Sequence, residues 1–219
     1  MERKRPRRTR ERILENALAL FNRFGEPNIT TADIADEMNI SPGNLYYHFR
    51  NKDEIIGELY GALETRLAPL LDWPEGRAPD VEDLWFVLHA LFEGMWAYRF
   101  FYRDVIELTS RNRRIALRFA ELSRRGEANV IGMCRGMVAA GTMRASEREL
   151  AALAHNVAIV STYWMSFQRT SHPPPPGKPA GDDSHLSLDR AAYQVLALIA
   201  PFALGEARLR IERLGERYL

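Results

Sequence analysis

The residues best equipped to act on another molecule are gathered in Ser41-Pro42-Gly43-Asn44-Leu45-Tyr46-Tyr47-His48-Phe49. An amide, two phenols and an imidazole follow one another here, offering donors, acceptors and ring faces. That is the chemistry of contact, not of bond cleavage. Ser41 is placed to cap a helix, and Pro42 occupies a first position where the missing N–H is not needed. Ile40 can staple across the turn to Leu45. Leu45 and Phe49 are four apart and share the inward face, which leaves Gly43, Asn44, Tyr46 and Tyr47 pointing away.

A search for reaction chemistry finds no comparable cluster. There is no Gly-rich phosphate loop, no pair of cysteines and no His-Glu-x-x-His zinc pattern, so no catalytic residue, metal or cofactor is expected. Cys134 lies among Ile131, Met133 and Met137 on a helical pattern, where a small buried hydrophobe explains it. The histidines His48, His89, His155, His172 and His185 are scattered along the chain.

The contact stretch needs elements to hold it. Thr30 to Met38 reads as a second short helix, capped by Thr30, with Asp33 at its positive end and an Ile29/Ile34 staple. Ile34, Ala35 and Met38 form its inner face, and Asn39 can adopt the left-handed conformation of a tight turn. Two short helices joined in this way make a helix-turn-helix, whose second helix enters a DNA major groove. Ahead of them, Ile13, Leu14, Ala17, Leu18, Phe21 and Phe24 mark an amphipathic helix from Thr9 to Phe24, closed by Gly25. Behind them, Asn51 caps a longer helix, with Glu54 placed for a capping box, running through Ile55, Leu59 and Leu63 toward Pro69.

Thr9 to about Tyr60, above all Ile34-Ala35 and the run Ser41 to Ile55, resembles the TetR family of bacterial transcriptional regulators. Asn39 stands where that family often has Gly, and Asn44 where a small residue or Thr is frequent. The resemblance implies an all-α protein: a three-helix DNA-binding head and a larger helical domain for ligand binding and dimerisation. The expected division is a basic arm at 1–8, the head at 9–56 and the body at 57–219. On that reading Ser41, Pro42, Gly43, Asn44, Tyr46, Tyr47 and His48 face the groove, while Thr30, Thr31 and Lys52 meet phosphates.

Composition agrees with this division. The 219 residues carry a net charge of only +1, but Arg3, Lys4, Arg5, Arg7, Arg8, Arg10 and Arg12 crowd the start. Such an arm is drawn to phosphates; alone, it would read equally as a solvated tail. A hydrophobic content of 46% supports a real core, one cysteine fits a reducing cytosol, and no apolar run reaches the ~20 residues a membrane helix needs. A cytoplasmic protein is expected.

Trp73 to Pro79 reads as a loop, and the body beyond it as helices. Trp85, His89, Phe92, Trp96, Phe101, Phe119, Met133, Met137 and Trp164 could line one apolar chamber for a small-molecule effector, or be ordinary core. Glu93 and Glu107 would suit a cation there, Arg103 and Arg118 a carboxylate. A long helix is predicted from about Arg113 to Ala140. The two that follow carry broad faces: Leu150, Leu153, Val157, Ser161 and Trp164 after a Ser146/Glu149 capping box, then Leu188, Ala191, Ala192, Val195 and Ile199. The family dimerises through this pair, so the resemblance implies a homodimer on a pseudo-palindromic DNA operator; the spacing equally permits packing within one chain. Between them, residues 170–185 with four consecutive prolines read as a flexible surface loop.

The function these features imply is a ligand-responsive repressor. Two other readings stay open. A sequence-tolerant architectural DNA-binding protein would hold cognate and scrambled DNA alike. A helical enzyme with a DNA-binding head would chemically alter its effector.

Overall fold

The first helix begins earlier than its apolar pattern suggests. In the computed structural model, which describes residues 6–73, 77–172 and 188–218, α1 spans Pro6–Phe24. Proline is tolerated at the first helical position and the arginines after it are good helix formers, so the helix takes in the end of the expected arm. Ile13, Ala17 and Phe21, spaced by four, are fully buried. Gly25 ends the helix at φ 90°, a conformation that costs glycine little.

The next three helices are set by their caps. For α2 (Thr31–Glu37), Thr30 Oγ1 accepts from the Asp33 amide at 3.2 Å, and Asp33 Oδ2 accepts from the Thr30 amide at 2.7 Å. Donation from the Thr30 amide and from its hydroxyl holds the Asp33 carboxyl below the usual range. Asn39 turns the chain at φ 53°, and α3 (Pro42–His48) starts where Ser41 Oγ accepts from the Asn44 amide at 3.2 Å. For α4 (Lys52–Leu67), Asn51 Oδ1 accepts from the Glu54 amide at 2.9 Å. The return half of that box does not form, because Glu54 accepts from the Arg50 amide instead, at 2.8 Å.

The body continues with α5 (Val81–Ala97), α6 (Arg99–Arg103), α7 (Val105–Arg111), α8 (Arg113–Ala139), α9 (Glu147–Ser171), α10 (Asp189–Ile199) and α11 (Gly205–Gly215). No strand occurs among the described residues, and no described helix is long and apolar enough to cross a membrane. α8 ends before Gly141 at φ 73°, and the Ser146/Glu149 box opens α9. α9 runs through Ser171, past the expected start of the loop at 170; residues 173–185 of that loop lie outside the described residues. α11 is an addition to the sequence reading, whose last helical face is the one from Leu188 to Ile199. It has few apolar positions, Ala207 and Ile211 being the buried ones, and its polar side carries Arg208–Glu212 and Arg210–Glu206 pairs one turn apart.

Head and body are joined by packing and by buried polar bonds. Phe21 meets Phe100 with ring centroids 5.3 Å apart. Asn22 donates to the Ala97 carbonyl at 2.8 Å and accepts from the Phe100 amide at 3.1 Å, while Arg103 donates to the Phe21 carbonyl at 2.7 Å. Each buried polar group here is matched. α4 then passes from the head into the body, packing on α1 at one end and on α5 and α8 at the other.

α8 and the loop before α5 approach closely at Gly136, where an added Cβ would lie 2.4 Å from Pro79 Cδ. The proline ring cannot rotate away. Gly136→Ala is expected to destabilise the protein by about 1–3 kcal/mol through overpacking. Gly132→Ala, on the same helix with nothing within 4 Å, should instead stabilise by roughly 0.5–1 kcal/mol. Urea midpoints of the two variants, moving in opposite directions, are the check.

Candidate nucleic-acid interface and ligand cavity

Leu45 and Phe49 are both fully buried, and their fixed inward direction aims the rest of α3 outward. Tyr47 is 80% exposed and Tyr46 52%. Gly43, Asn44, Ser41 and Pro42 are exposed as well, and His48 is half-buried with its ring edge-on to Tyr47 at 5.1 Å. Ser41 Oγ is occupied by the cap. Tyr46 is held by a 3.1 Å hydrogen bond between its hydroxyl and Thr31 Oγ1, which ties α3 to α2. The two tyrosines therefore differ: one braces the turn and the other is available to a partner.

Behind this surface Arg10 stacks over the Phe49 ring at 4.7 Å and pairs with Glu58 at 3.0 Å, fixing α1 against α3 and α4. Arg8 is exposed on the first turn of α1, to which Arg7 also belongs; Arg3, Lys4 and Arg5 lie outside the described residues. Thr30 is exposed, with its hydroxyl bonded to Asp33 at 2.7 Å.

Lys52 does not present a free charge to a phosphate. Its ammonium binds Glu26 Oε1 at 2.8 Å and donates to the Glu26 and Ile29 carbonyls at 3.0 and 2.9 Å. A fully buried carboxylate requires a nearby cation, and Glu26 draws in Arg111 of α7 as well, at 3.0 Å. Lys52 is thus a clamp within the head, and Arg111 extends it into the body. A glutamate in a Gly-Glu-Pro turn gives no periodic signal, so the sequence did not reveal this node.

The expected single chamber is not formed: α5 separates two cavities. One, of about 560 Å³, takes His89, Phe92 and Trp96 on one face of α5, with Arg66, Glu93 and Tyr218. Trp85 stacks on His89 at 5.2 Å, and the Tyr218 hydroxyl lies 3.2 Å from His89 Nδ1. The other, of about 100 Å³, lies between the end of α4, the opposite face of α5, α8 and α9, and Phe119 is the one expected residue that lines it. Its remaining walls include Leu67, Met95, Tyr102, Glu127 and Ala158.

The other expected lining residues are core. Phe101 packs against Tyr60 at 4.8 Å and Phe119 at 5.5 Å, and Met133 and Met137 are buried, while Trp164 is half-buried with its ring tilted against the exposed Phe167 at 5.6 Å. Three of the four charges considered for a ligand are engaged elsewhere, and the fourth, Glu93, lines the larger cavity. Arg103 binds the Phe21 carbonyl and Asp104, Arg118 binds Glu64, Glu107 lies 3.8 Å from Arg111, and Glu93 lies 3.5 Å from His89 beside the larger cavity. Cys134 is buried, which pushes its thiol up to about 11 and leaves it unreactive.

The faces expected to dimerise are also turned inward. Leu150, Leu153, Val157, Leu188, Ala191, Ala192, Val195 and Ile199 are all buried within the single chain, where α9 packs on α8 and α10. Ser161 and Trp164 are half-buried. The apolar surface that α9 leaves uncovered is one step round the helix: Ile159, Tyr163 and Phe167, four apart and each more than 40% exposed. A broad apolar pattern on a helix cannot by itself tell which part its own chain covers.

Residues 13–59 match the family model described as "Bacterial regulatory proteins, tetR family", and residues 62–211 the one described as "Bacterial transcriptional repressor". Among solved structures, a TetR-family transcriptional regulator from Marinobacter aquaeolei VT8 is 38% identical, with a TM-score of 0.82 over 96% of this chain and 98% of that one. Among curated proteins, the repressor KstR2 of Mycobacterium tuberculosis is 39% identical over 74 residues, 34% of each chain. The probable acrEF/envCD operon repressor of Escherichia coli is 38% identical over 53 residues, 24% of each. The match thus spans about a quarter to a third of the length of these curated relatives. The family models cover nearly the whole described fold, head and body alike. This chain belongs to the TetR family of bacterial transcriptional regulators.

Proposed function

We propose that this protein is a cytoplasmic, homodimeric transcriptional repressor that grips a pseudo-palindromic operator with its two heads and responds to a small molecule in the cavity between α4, α5, α8 and α9. The observation that carries the DNA reading is α3, a capped two-turn helix whose Asn44 and Tyr47 stand clear of a rigid core. Asn44, near the N-terminus of that helix, is suited to a base edge, and Tyr47 to a phosphate or a thymine methyl group. On this reading Gly43 allows close approach, and contacts to the DNA backbone are assigned to Thr31, His48, Arg7 and Arg8.

The response runs through α4. Its first residue, Lys52, is clamped to the turn that precedes α2, and its last, Leu67, is a wall of the smaller cavity. A ligand that favours one setting of α4 shifts the spacing of two heads by its difference in affinity for the two settings. The Ile159, Tyr163 and Phe167 stripe supplies the surface for the second copy.

Footprinting on DNA flanking the protein's own gene tests this reading. Two protected half-sites about one or more helical turns apart are expected, with scrambled DNA bound at least about a thousandfold more weakly. Equal affinity for both DNAs would favour an architectural role instead. Tyr163→Glu combined with Phe167→Glu should give a monomer in size-exclusion chromatography with light scattering, and no footprint; a persistent dimer would move the interface elsewhere.

A further inference from the structure

The smaller cavity has a consistent chemical bias. Its walls are chiefly aliphatic and aromatic, and no lysine, arginine or histidine is among its lining residues. The nearby arginines all have other partners. Arg103 donates to the Phe21 carbonyl, Arg118 binds Glu64, and Arg125 pairs with Asp72 at 2.7 Å while donating to the Ala68 carbonyl. Each of these bonds holds one element of the body, or its junction with the head, in place. The one charged group on the cavity wall is Glu127, whose carboxylate lies 3.6 Å from His155 Nδ1. An anion entering this space would lose its water, meet no cation and face a carboxylate.

Tyr102 is the most enclosed polar residue of the wall. It is 4% exposed and lines the cavity. Burial pushes its phenol above the ordinary value, so it stays protonated and able to donate. Space is also limited, since about 100 Å³ is less than the roughly 150 Å³ of an apolar protein cavity known to admit benzene. Admitting one ring requires side chains of the wall, the flexible Met95 among them, to give way.

We infer that this cavity selects an uncharged, largely apolar ligand about the size of one aromatic ring, oriented by a hydrogen bond from the Tyr102 hydroxyl to an acceptor on the ligand, and rejects carboxylates. The inference rests on the cavity being the effector site.

Three probes sharing one ring test it: acetophenone, with a neutral acceptor, benzoate and benzylammonium. Each is titrated against the full-length protein by ligand-observed NMR. Acetophenone is expected to bind at least about tenfold more tightly than either ion, and Tyr102→Phe should weaken it by roughly three- to tenfold, the value of one neutral hydrogen bond. Ala158→Trp, which fills the cavity, should abolish binding. Benzoate or benzylammonium binding as well as acetophenone would overturn the ligand class, as would an unchanged affinity in Tyr102→Phe. If acetophenone bound the Ala158→Trp protein like the wild type, the effector-site reading itself would fail. Absence of saturable binding by all three probes would overturn the inference too.

Discussion

Alanine at Asn44 is expected to weaken operator binding by about 30-fold to 10⁴-fold while leaving the fold unchanged. A well-made amide contact to a base edge contributes about 1–3 kcal/mol of discrimination, and a dimer carries two of them, giving about 2–6 kcal/mol in all. The side chain is exposed and only its backbone amide serves the Ser41 cap, so thermal stability should move by no more than roughly 0.5 kcal/mol. The variant should also lose preference at one base pair in each half-site, because the amide is the reader there. Tyr47→Ala should weaken all sequences more evenly if the ring meets a phosphate, and selectively at a thymine if it meets a methyl group. Tyr46→Phe is a contrasting case, since its hydroxyl is engaged by Thr31 and the change acts through the turn. Fluorescence anisotropy with the footprinted operator and single-base variants reads all of these. An Asn44→Ala protein with wild-type affinity and preference would remove α3 from the major groove.

The parts of this molecule that were legible in the sequence are those decided within a few residues. Thr30 and Asp33, Ser41 and Pro42, Asn39, and Ser146 and Glu149 all act over one turn, and each stands in the structure as its residue type predicts. The end of α8 follows in the same way from Gly141. What escaped was long-range. Lys52 is a basic residue at the edge of a DNA-binding motif, and only the fold reveals the buried Glu26 beneath it. The aromatic pattern of α5 has two faces, and a linear reading merges them into one chamber where the helix keeps two cavities apart. On α9 and α10 the strongest apolar positions go to the chain's own core, and the weaker stripe of Ile159, Tyr163 and Phe167 is left outside. α11 was lost because a helix with two buried apolar side chains and several ion pairs resembles a polar tail in sequence.

Phe101 separates the two meanings an aromatic residue can have in such a body, and Phe101→Ala is expected to be the most destabilising change described here. The side chain is 1% exposed, and its ring lies 4.8 Å from Tyr60 of α4, 5.5 Å from Phe119 of α8 and 5.7 Å from Tyr102. Removing it leaves a void bounded by three separately anchored elements, none of which can collapse freely. A Phe→Ala change in such a place costs about 3–5 kcal/mol, and for a chain of this size that lowers Tm by roughly 6–20 °C. Phe101→Leu keeps most of the volume and should cost about 1–1.5 kcal/mol. If Phe101 were instead a wall of the effector site, alanine would enlarge that site, leave Tm within about 2 °C of the wild type and change ligand affinity. Thermal unfolding followed by circular dichroism decides between the two. The consequence for function lies in Tyr60, since the Phe101 contact is one of the few that fix the middle of α4 against the body. Loosening it should let the heads vary in spacing, so that surviving Phe101→Ala dimers bind the operator more weakly and respond less to ligand.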